Sequence, residues 1–84
     1  MDLRNALIPH HANERMARRQ VSEKEVRGVL EAPEVVHTVR KGRVVAQAVR
    51  GTYLLRVFVD VDRQPPEVVT VYRTSKIEKY RSRT

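Results

Sequence analysis

EVVHTVRKGRVVAQAVRGTYLLRVFVDVDRQPPEVVTVYRT, residues 34–74, decides the fold of this chain of 84 residues. Four segments of it are rich in β-branched residues, which favour strands over helices. Tight turns are predicted at Lys41-Gly42 and Arg50-Gly51, and a longer connection runs from Asp62 to Pro66. Because such short links join antiparallel neighbours, we expect a four-stranded antiparallel sheet with strands at 34–41, 43–50, 52–61 and 67–74.

The two faces of this sheet are predicted to differ in polarity, because successive side chains of a strand point to opposite sides. One face of the third strand is apolar and is therefore expected to carry the helices; it holds Leu55, Val57, Val59 and Val61. The opposite face is mixed and presents Arg56, Phe58, Thr70 and Tyr72, with Thr74 at its edge.

The clearest local signal lies just before the sheet. Ser22 and Glu25 have the spacing of a capping box, in which each side chain bonds the backbone N–H of the other. Val21 and Val26 hold the flanking positions of a hydrophobic staple. A helix is therefore predicted to begin here, and Pro33 ends it.

Two further helices are predicted. One runs from about Pro9 to Arg19, because proline suits a first helical turn and apolar residues recur at helical spacing: Ile8, Ala12 and Met16. The other is short and covers about Ser75 to Arg81, where Ser75 and Glu78 form a weaker capping box. The element order is ααββββα, an α+β fold in which two N-terminal helices pack on the sheet, and residues 1–84 are expected to form one domain.

The charge balance narrows the function. Lysine and arginine number 17 against 10 acidic residues, which gives a net charge of +7 and favours a polyanionic partner. The absence of cysteine excludes disulfides, zinc fingers and thiol catalysis. No segment is long and apolar enough for a membrane span, and MDLRNALI is too short and charged for a signal peptide, so we expect a cytoplasmic protein.

The first helix carries the main candidate residues. At about 100° per residue, His11, Arg15 and Arg18 fall close to one line, with Arg19 on its flank. An imidazole among permanent cations suits general acid–base work on a phosphodiester, with the arginines binding phosphate. The alternative is a solvated helix face with an incidental histidine.

The mixed face of the sheet is the second candidate. Aromatic and basic residues interleaved on an open sheet suit single-stranded nucleic acid, whose bases stack while its backbone is neutralised. The alternative is that this face is a hydrophobic contact for the tail helix or for a partner. Asp60 and Asp62 resemble a metal pair, but their place at a strand end favours a turn. Three histidines and three glycines make a poor metal site and no phosphate loop, so we expect no metal or other cofactor.

The string from His11 to Ser22, His-Ala-x-x-Arg-Met-x-x-Arg-x-Val-Ser, and the closing Val69 to Ile77 resemble a family of small bacterial, archaeal and phage domains of unassigned function. That family is grouped with RelE/ParE-type toxins and more loosely with barnase- and EndoU-like ribonucleases. The resemblance implies helices on one face of a four-stranded antiparallel sheet. Where the family usually has glycine before the Val21 position, this chain has Gln20.

The resemblance also implies a chemistry, because the wider superfamily cleaves RNA without metal by attack of the ribose 2′-OH. His11 is then the candidate base or acid. Phosphate binding falls to Arg15 and Arg19, and orientation or stabilisation to Tyr72, Thr74 or Lys76. Apart from the resemblance, the stripe on the first helix and the mixed face of the sheet predict nucleic-acid contacts for Arg18 and Arg56.

Three functions are therefore compared. The first is a toxin-like endoribonuclease that acts on RNA and is held inactive by an acidic antitoxin. The second is a non-catalytic basic domain that binds nucleic acid. The third is a protein-interaction module whose sheet face or strand edge docks a partner or a second copy of the chain as a homodimer.

Overall fold

The computed structural model describes residues 2–81 and confirms the α+β architecture. Two helices precede a sheet and a short one follows it. In chain order the elements are α1 (His10–Arg18), α2 (Glu23–Glu31), β1 (Val35–Arg40), β2 (Arg43–Arg50), β3 (Tyr53–Asp60), β4 (Glu67–Thr74) and α3 (Ile77–Arg81). Within this part of the chain, no helix has the length and apolar character needed to cross a membrane.

The sheet has the order β1-β2-β3-β4, and every pair is antiparallel. Its register confirms that the two faces differ. Ala46, Val57 and Val71 lie opposite one another on the face that carries α1 and α2, and all three are fully buried in the core. We call this side the helix face. The other side, which we call the second face, holds Arg56 opposite Tyr72.

The turn between α1 and α2 has a left-handed residue at its centre. The N–H of Gln20 donates to the carbonyl of Ala17, and the N–H of Val21 donates to the carbonyl of Met16. These two bonds form a Schellman motif, in which the residue after the helix cap usually is glycine. Gln20 has φ of 56°, so a residue with a side chain occupies a conformation that glycine adopts without cost.

The capping box that starts α2 is confirmed. Ser22 Oγ accepts a hydrogen bond from the N–H of Glu25 at 3.1 Å, and Glu25 Oε1 accepts one from the N–H of Ser22 at 3.0 Å. The inner side of α2 then buries Val26, Val29 and Leu30 against the sheet. Two otherwise unpaired N–H groups are thus satisfied, which fixes where the helix begins.

The tail helix begins two residues later than the spacing predicted. α3 starts at Ile77 instead of Ser75, because Thr74 Oγ1 accepts a hydrogen bond from the N–H of Lys76 at 3.0 Å and holds the chain in a turn first. The helix lies on the second face, where the backbone carbonyl of Tyr80 accepts a hydrogen bond from Gln47 Nε2. The tail therefore covers part of the mixed face.

The two edges of the sheet differ. Beside β4, Leu7 donates to the carbonyl of Pro66 and accepts from the N–H of Val68, both at 2.8 Å, so the N-terminal segment covers the start of that edge. The opposite edge is β1, where Val36 and Val39 are 37% and 48% exposed. The described residues thus leave β1 as the more open edge.

Asp60 ends β3 and forms an ion pair. Its carboxylate accepts a hydrogen bond from Arg43 Nε, across the β2–β3 ladder, at 2.6 Å. Arg63 lies 3.6 Å from the other oxygen. The hydrogen bond from Arg43 lowers the pKa of Asp60 below its usual value, since it favours the charged form.

Candidate nucleic-acid interface

The predicted helical stripe is exposed. His11, Arg15 and Arg18 are all on the solvent side of α1, while Ala12 and Met16 fill the core beneath it. α1 packs on the helix face next to β4. The stripe therefore lies along that edge of the molecule and is available to a polyanion.

Arg15 joins α1 to an irregularity in β4. Thr70 pairs with Phe58 and Val68 pairs with Val59, so Val69 is one extra residue in the strand, a β-bulge. Arg15 Nη1 donates a hydrogen bond to the Val69 carbonyl at 3.1 Å. Part of the guanidinium predicted to bind phosphate is therefore engaged with the backbone, which holds this side chain against the sheet edge.

Arg19 extends from the end of α1 to the second face. Its guanidinium carbon lies 5.9 Å from the centroid of the Tyr72 ring, within the range of a cation–π contact. The neighbouring strand residue, Arg73, donates to Gln20 Oε1 at 3.4 Å. The turn after α1 is thus attached to β4, and a cation from the helix side is brought beside a tyrosine on the other side.

Tyr72 lies in a hydrogen-bonded and positively charged environment. Its ring meets the ring of Tyr80 edge to face, with centroids 6.1 Å apart. Hydrogen bonding to Tyr80 and Thr74 lowers the pKa of Tyr72, and the positive charges of Arg56 and Lys76 act in the same direction. All of these effects stabilise the phenolate.

Arg56 is held in place from three sides. Its Nε donates to Gln47 Oε1 at 3.1 Å. Its guanidinium carbon lies 4.3 Å from the Tyr80 ring centroid and 5.4 Å from that of Phe58. The two rings and the buried amide fix the orientation of the guanidinium, which suits a recognition residue better than a solvated one.

Two of these contributors were missed at the level of sequence. Gln47 is a fully buried polar residue in the middle of β2, and its alternation with Ala46 and Ala48 is the signal that it faces the mixed side. Tyr80 was placed on the tail helix, but its contact with Arg56 depends on where that helix packs. Neither role can be read from local spacing.

A groove of about 450 Å³ opens beside these residues. His37, Val45, Phe58, Arg56 and Tyr80 are among its lining residues. His37 Nε2 is buried and has no hydrogen-bond partner among residues 2–81. Arg56 and Tyr80 form a wall of the groove. Tyr80 also contacts the Tyr72 ring, and the positive charge of Arg56 lowers the pKa of Tyr72.

The predicted site residues therefore divide into two groups. One group surrounds a single tyrosine, and we call it the Tyr72 cluster: Tyr72, Thr74, Arg19, Arg56 and Lys76. His11 belongs to the other group. It precedes Arg19 by eight residues of helix, or about 12 Å along the axis, and no described hydrogen bond or ion pair joins it to the cluster.

No set of three or more histidine, aspartate or glutamate side chains within residues 2–81 is grouped as a metal site would require.

No curated protein and no solved structure shows a significant match to the chain. The family model described as a domain of unknown function, DUF4258, matches residues 8–73, from the residue before Pro9 almost to the end of β4. Since this match covers both N-terminal helices and the sheet, the chain belongs to the DUF4258 family.

Proposed function

We propose that this protein is a metal-independent endoribonuclease whose catalytic centre is the Tyr72 cluster. The observation that carries the proposal is the position of a tyrosine with a lowered pKa among two arginines and a lysine at the surface of the sheet. Perturbed acid–base groups beside matched charges are typical of catalytic sites. The target, a phosphodiester, is anionic and agrees with the net charge of +7.

The proposed reaction is an attack of the ribose 2′-oxygen on the adjacent phosphorus. Tyr72 as phenolate removes the 2′-proton, the O2′–P bond forms, and the P–O5′ bond breaks. The leaving 5′-oxygen takes a proton from solvent, so the products are a 2′,3′-cyclic phosphate and a 5′-hydroxyl. Tyr72 returns its proton to solvent to complete the cycle.

The other members of the cluster have separate roles in this proposal. Arg19 and Lys76 neutralise the charge that develops on the phosphorane oxygens. Thr74 orients the Tyr72 hydroxyl to which it is hydrogen-bonded. Arg56 adds positive charge that favours the phenolate. His11, Arg15 and Arg18 are proposed to contact the RNA strand further along α1, because no described hydrogen bond or ion pair joins His11 to the Tyr72 cluster.

The test is cleavage of a single-stranded RNA by purified protein in the presence of EDTA. We expect the wild type to cleave, Tyr72→Phe to lose about 10²- to 10⁴-fold in rate, and His11→Ala to lose much less. Lys24→Ala, which removes an exposed cation from α2, is the control. Inactive wild type, or Tyr72→Phe as fast as wild type, would refute the proposal. Loss of activity in His11→Ala alone would return the base to His11.

We extend the proposal to a toxin of the RelE/ParE type. It is supported by the two helices on a four-stranded antiparallel sheet that the sequence resemblance implies. An acidic segment of an antitoxin laid across Arg19, Arg56 and Lys76 would neutralise the cluster and exclude RNA. Both proteins would act in the cytoplasm. Co-expression with an acidic protein encoded beside this one should then restore growth that the toxin alone inhibits.

A second candidate function is binding of single-stranded RNA without cleavage. The interleaving of cations and rings on the second face favours it, since Arg56 lies over both Phe58 and Tyr80. Wild-type protein that binds RNA tightly and leaves it intact would establish this function in place of the first.

Docking of a protein or of a second copy of the chain is favoured only by the open β1 edge among the described residues. A comparison of the sedimentation of wild type with that of Val39→Lys tests it.

A further inference from the structure

A groove opens beside the Tyr72 cluster on the second face. Its volume of about 450 Å³ falls within the range of small-ligand sites. Three flat rings line it, from His37, Phe58 and Tyr80, together with the guanidinium of Arg56. Planar walls of this kind offer stacking to a planar ligand, and the cation favours one attached to an anionic chain.

We propose that this groove is a nucleobase-binding subsite, which takes one base of the RNA while the adjoining phosphate lies at the Tyr72 cluster. The inference rests on the proposed function and adds the base as the part of the substrate that holds the RNA in position. Arg56 and Tyr80 belong to both places. The centroid of the Tyr80 ring lies 6.1 Å from that of the Tyr72 ring and 4.3 Å from the guanidinium carbon of Arg56. The groove adjoins the Tyr72 cluster in the way that the planar base of a nucleotide adjoins its phosphate.

His37 gives the subsite a polar group that the fold leaves unused. Its Nε2 is buried without a hydrogen-bond partner among the described residues. A buried polar atom without a partner is unfavourable, so a ligand that supplies one gains affinity. His37 is also among the residues that line the groove, and its last torsion is soft, so in the proposed complex this nitrogen would turn toward the edge of a bound base.

A base is favoured over an apolar side chain of a protein partner for two reasons. The groove contains the unsatisfied imidazole nitrogen of His37, which an aliphatic side chain would leave unpaired. Arg19 and Lys76, the cations beside Tyr72, are on the side of the cluster, where the strand's phosphates would lie. Charge and shape thus both match a single-stranded polyanion.

The experiment compares two single-stranded RNA oligonucleotides of equal length by fluorescence anisotropy, one normal and one with abasic residues throughout. Wild type should bind the normal strand at least tenfold more tightly. Phe58→Leu, which keeps apolar volume but removes the ring, should lose most of that preference while binding the abasic strand as before. His37→Ala should lose part of it. Lys24→Ala is the matched control, and circular dichroism checks that each variant is folded.

The outcomes separate this inference from the proposed function. Wild type that binds bases but does not cleave would refute the nuclease and retain the subsite. Wild type that cleaves, with equal affinity for both strands or with Phe58→Leu indistinguishable from it, would refute the subsite and retain the nuclease. The latter result is also expected if the groove takes a side chain of a protein partner.

Discussion

The guanidinium of Arg19 lies 5.9 Å from the centre of the Tyr72 ring, although Arg19 ends a helix that packs on the helix face and the Tyr72 side chain is on the second face. The contact passes around the edge of β4, beside the bulge at Val69 where Arg15 is bonded to the backbone. A bulge strengthens the twist of a strand and redirects its side chains. This edge is therefore where the basic helix and the mixed face meet.

The first prediction concerns Arg19 itself. Arg19→Ala should lower kcat/KM for RNA cleavage by about 10² to 10³, since one charged donor to the transition state is lost. Arg19→Lys should recover part of the loss, because the charge remains while the planar fork does not. Steady-state cleavage assays with Lys24→Ala as the control measure both. Equal activity of Arg19→Ala and wild type would show that the cation–π contact is structural only.

The second prediction concerns pH. A phenolate base is active when deprotonated, so log kcat/KM should rise with pH and level off at the Tyr72 pKa, below the usual value of 10.0. Thr74→Val removes a hydrogen bond that stabilises the phenolate, and should move the plateau to higher pH. Ultraviolet titration of the phenolate absorbance gives an independent value. A pH profile that is the same for Thr74→Val and wild type would contradict the assignment of Tyr72 as the base.

The third prediction uses two lysines of equal charge. Lys76 belongs to the Tyr72 cluster, whereas Lys24 is exposed on α2 across the sheet. Lys76→Ala should reduce the slope of log affinity for single-stranded RNA against log salt by about 0.7, the loss of one phosphate contact. Lys24→Ala should leave that slope unchanged. The same slope change in both would mean that charge acts only through the net total.

The fourth prediction concerns the turn after α1. Gln20→Gly should raise the free energy of unfolding by roughly 0.5–1 kcal/mol. It removes a side chain from a residue with φ of 56°, which relieves backbone strain, and the greater conformational entropy that glycine loses on folding offsets part of this gain. Gly51→Ala is the opposite control: φ there is 62° and no atom lies within 4 Å of the added Cβ, so only backbone strain acts and stability falls. Urea unfolding measures both. Destabilisation by Gln20→Gly would show that its bond to Arg73 matters more.

The fifth prediction concerns acid stability. The pKa of Asp60 is lower when folded, so its contribution is complete above its unfolded pKa, about 3.9, and is lost as pH falls toward the folded pKa. Asp60→Asn should cost about 1–2 kcal/mol at pH 7 and progressively less below pH 4. Asp2→Asn is the control, since the Asp2 side chain is 61% exposed and screened by solvent. A difference between Asp60→Asn and wild type that is constant with pH would refute the ion pair's role.

Periodicity and turn chemistry alone determined the elements of this protein. Alternation in β3 separated the apolar side, with Val57, from the side with Arg56, and the capping box at Ser22 fixed the start of α2. These features depend on residues a few positions apart, because backbone hydrogen bonding and side-chain direction are local. The exposed stripe of α1 was predictable for the same reason.

Only the tertiary structure decided which candidate residues meet. Arg19 reaches Tyr72 across 53 positions of sequence, and His11, on the same helix, does not, because the packing of α1 along β4 sets which end approaches the second face. The groove at His37 exists because α3 crosses the sheet and places Tyr80 over Arg56. Contacts of this kind arise from the packing of whole elements, for which short-range spacing contains no information.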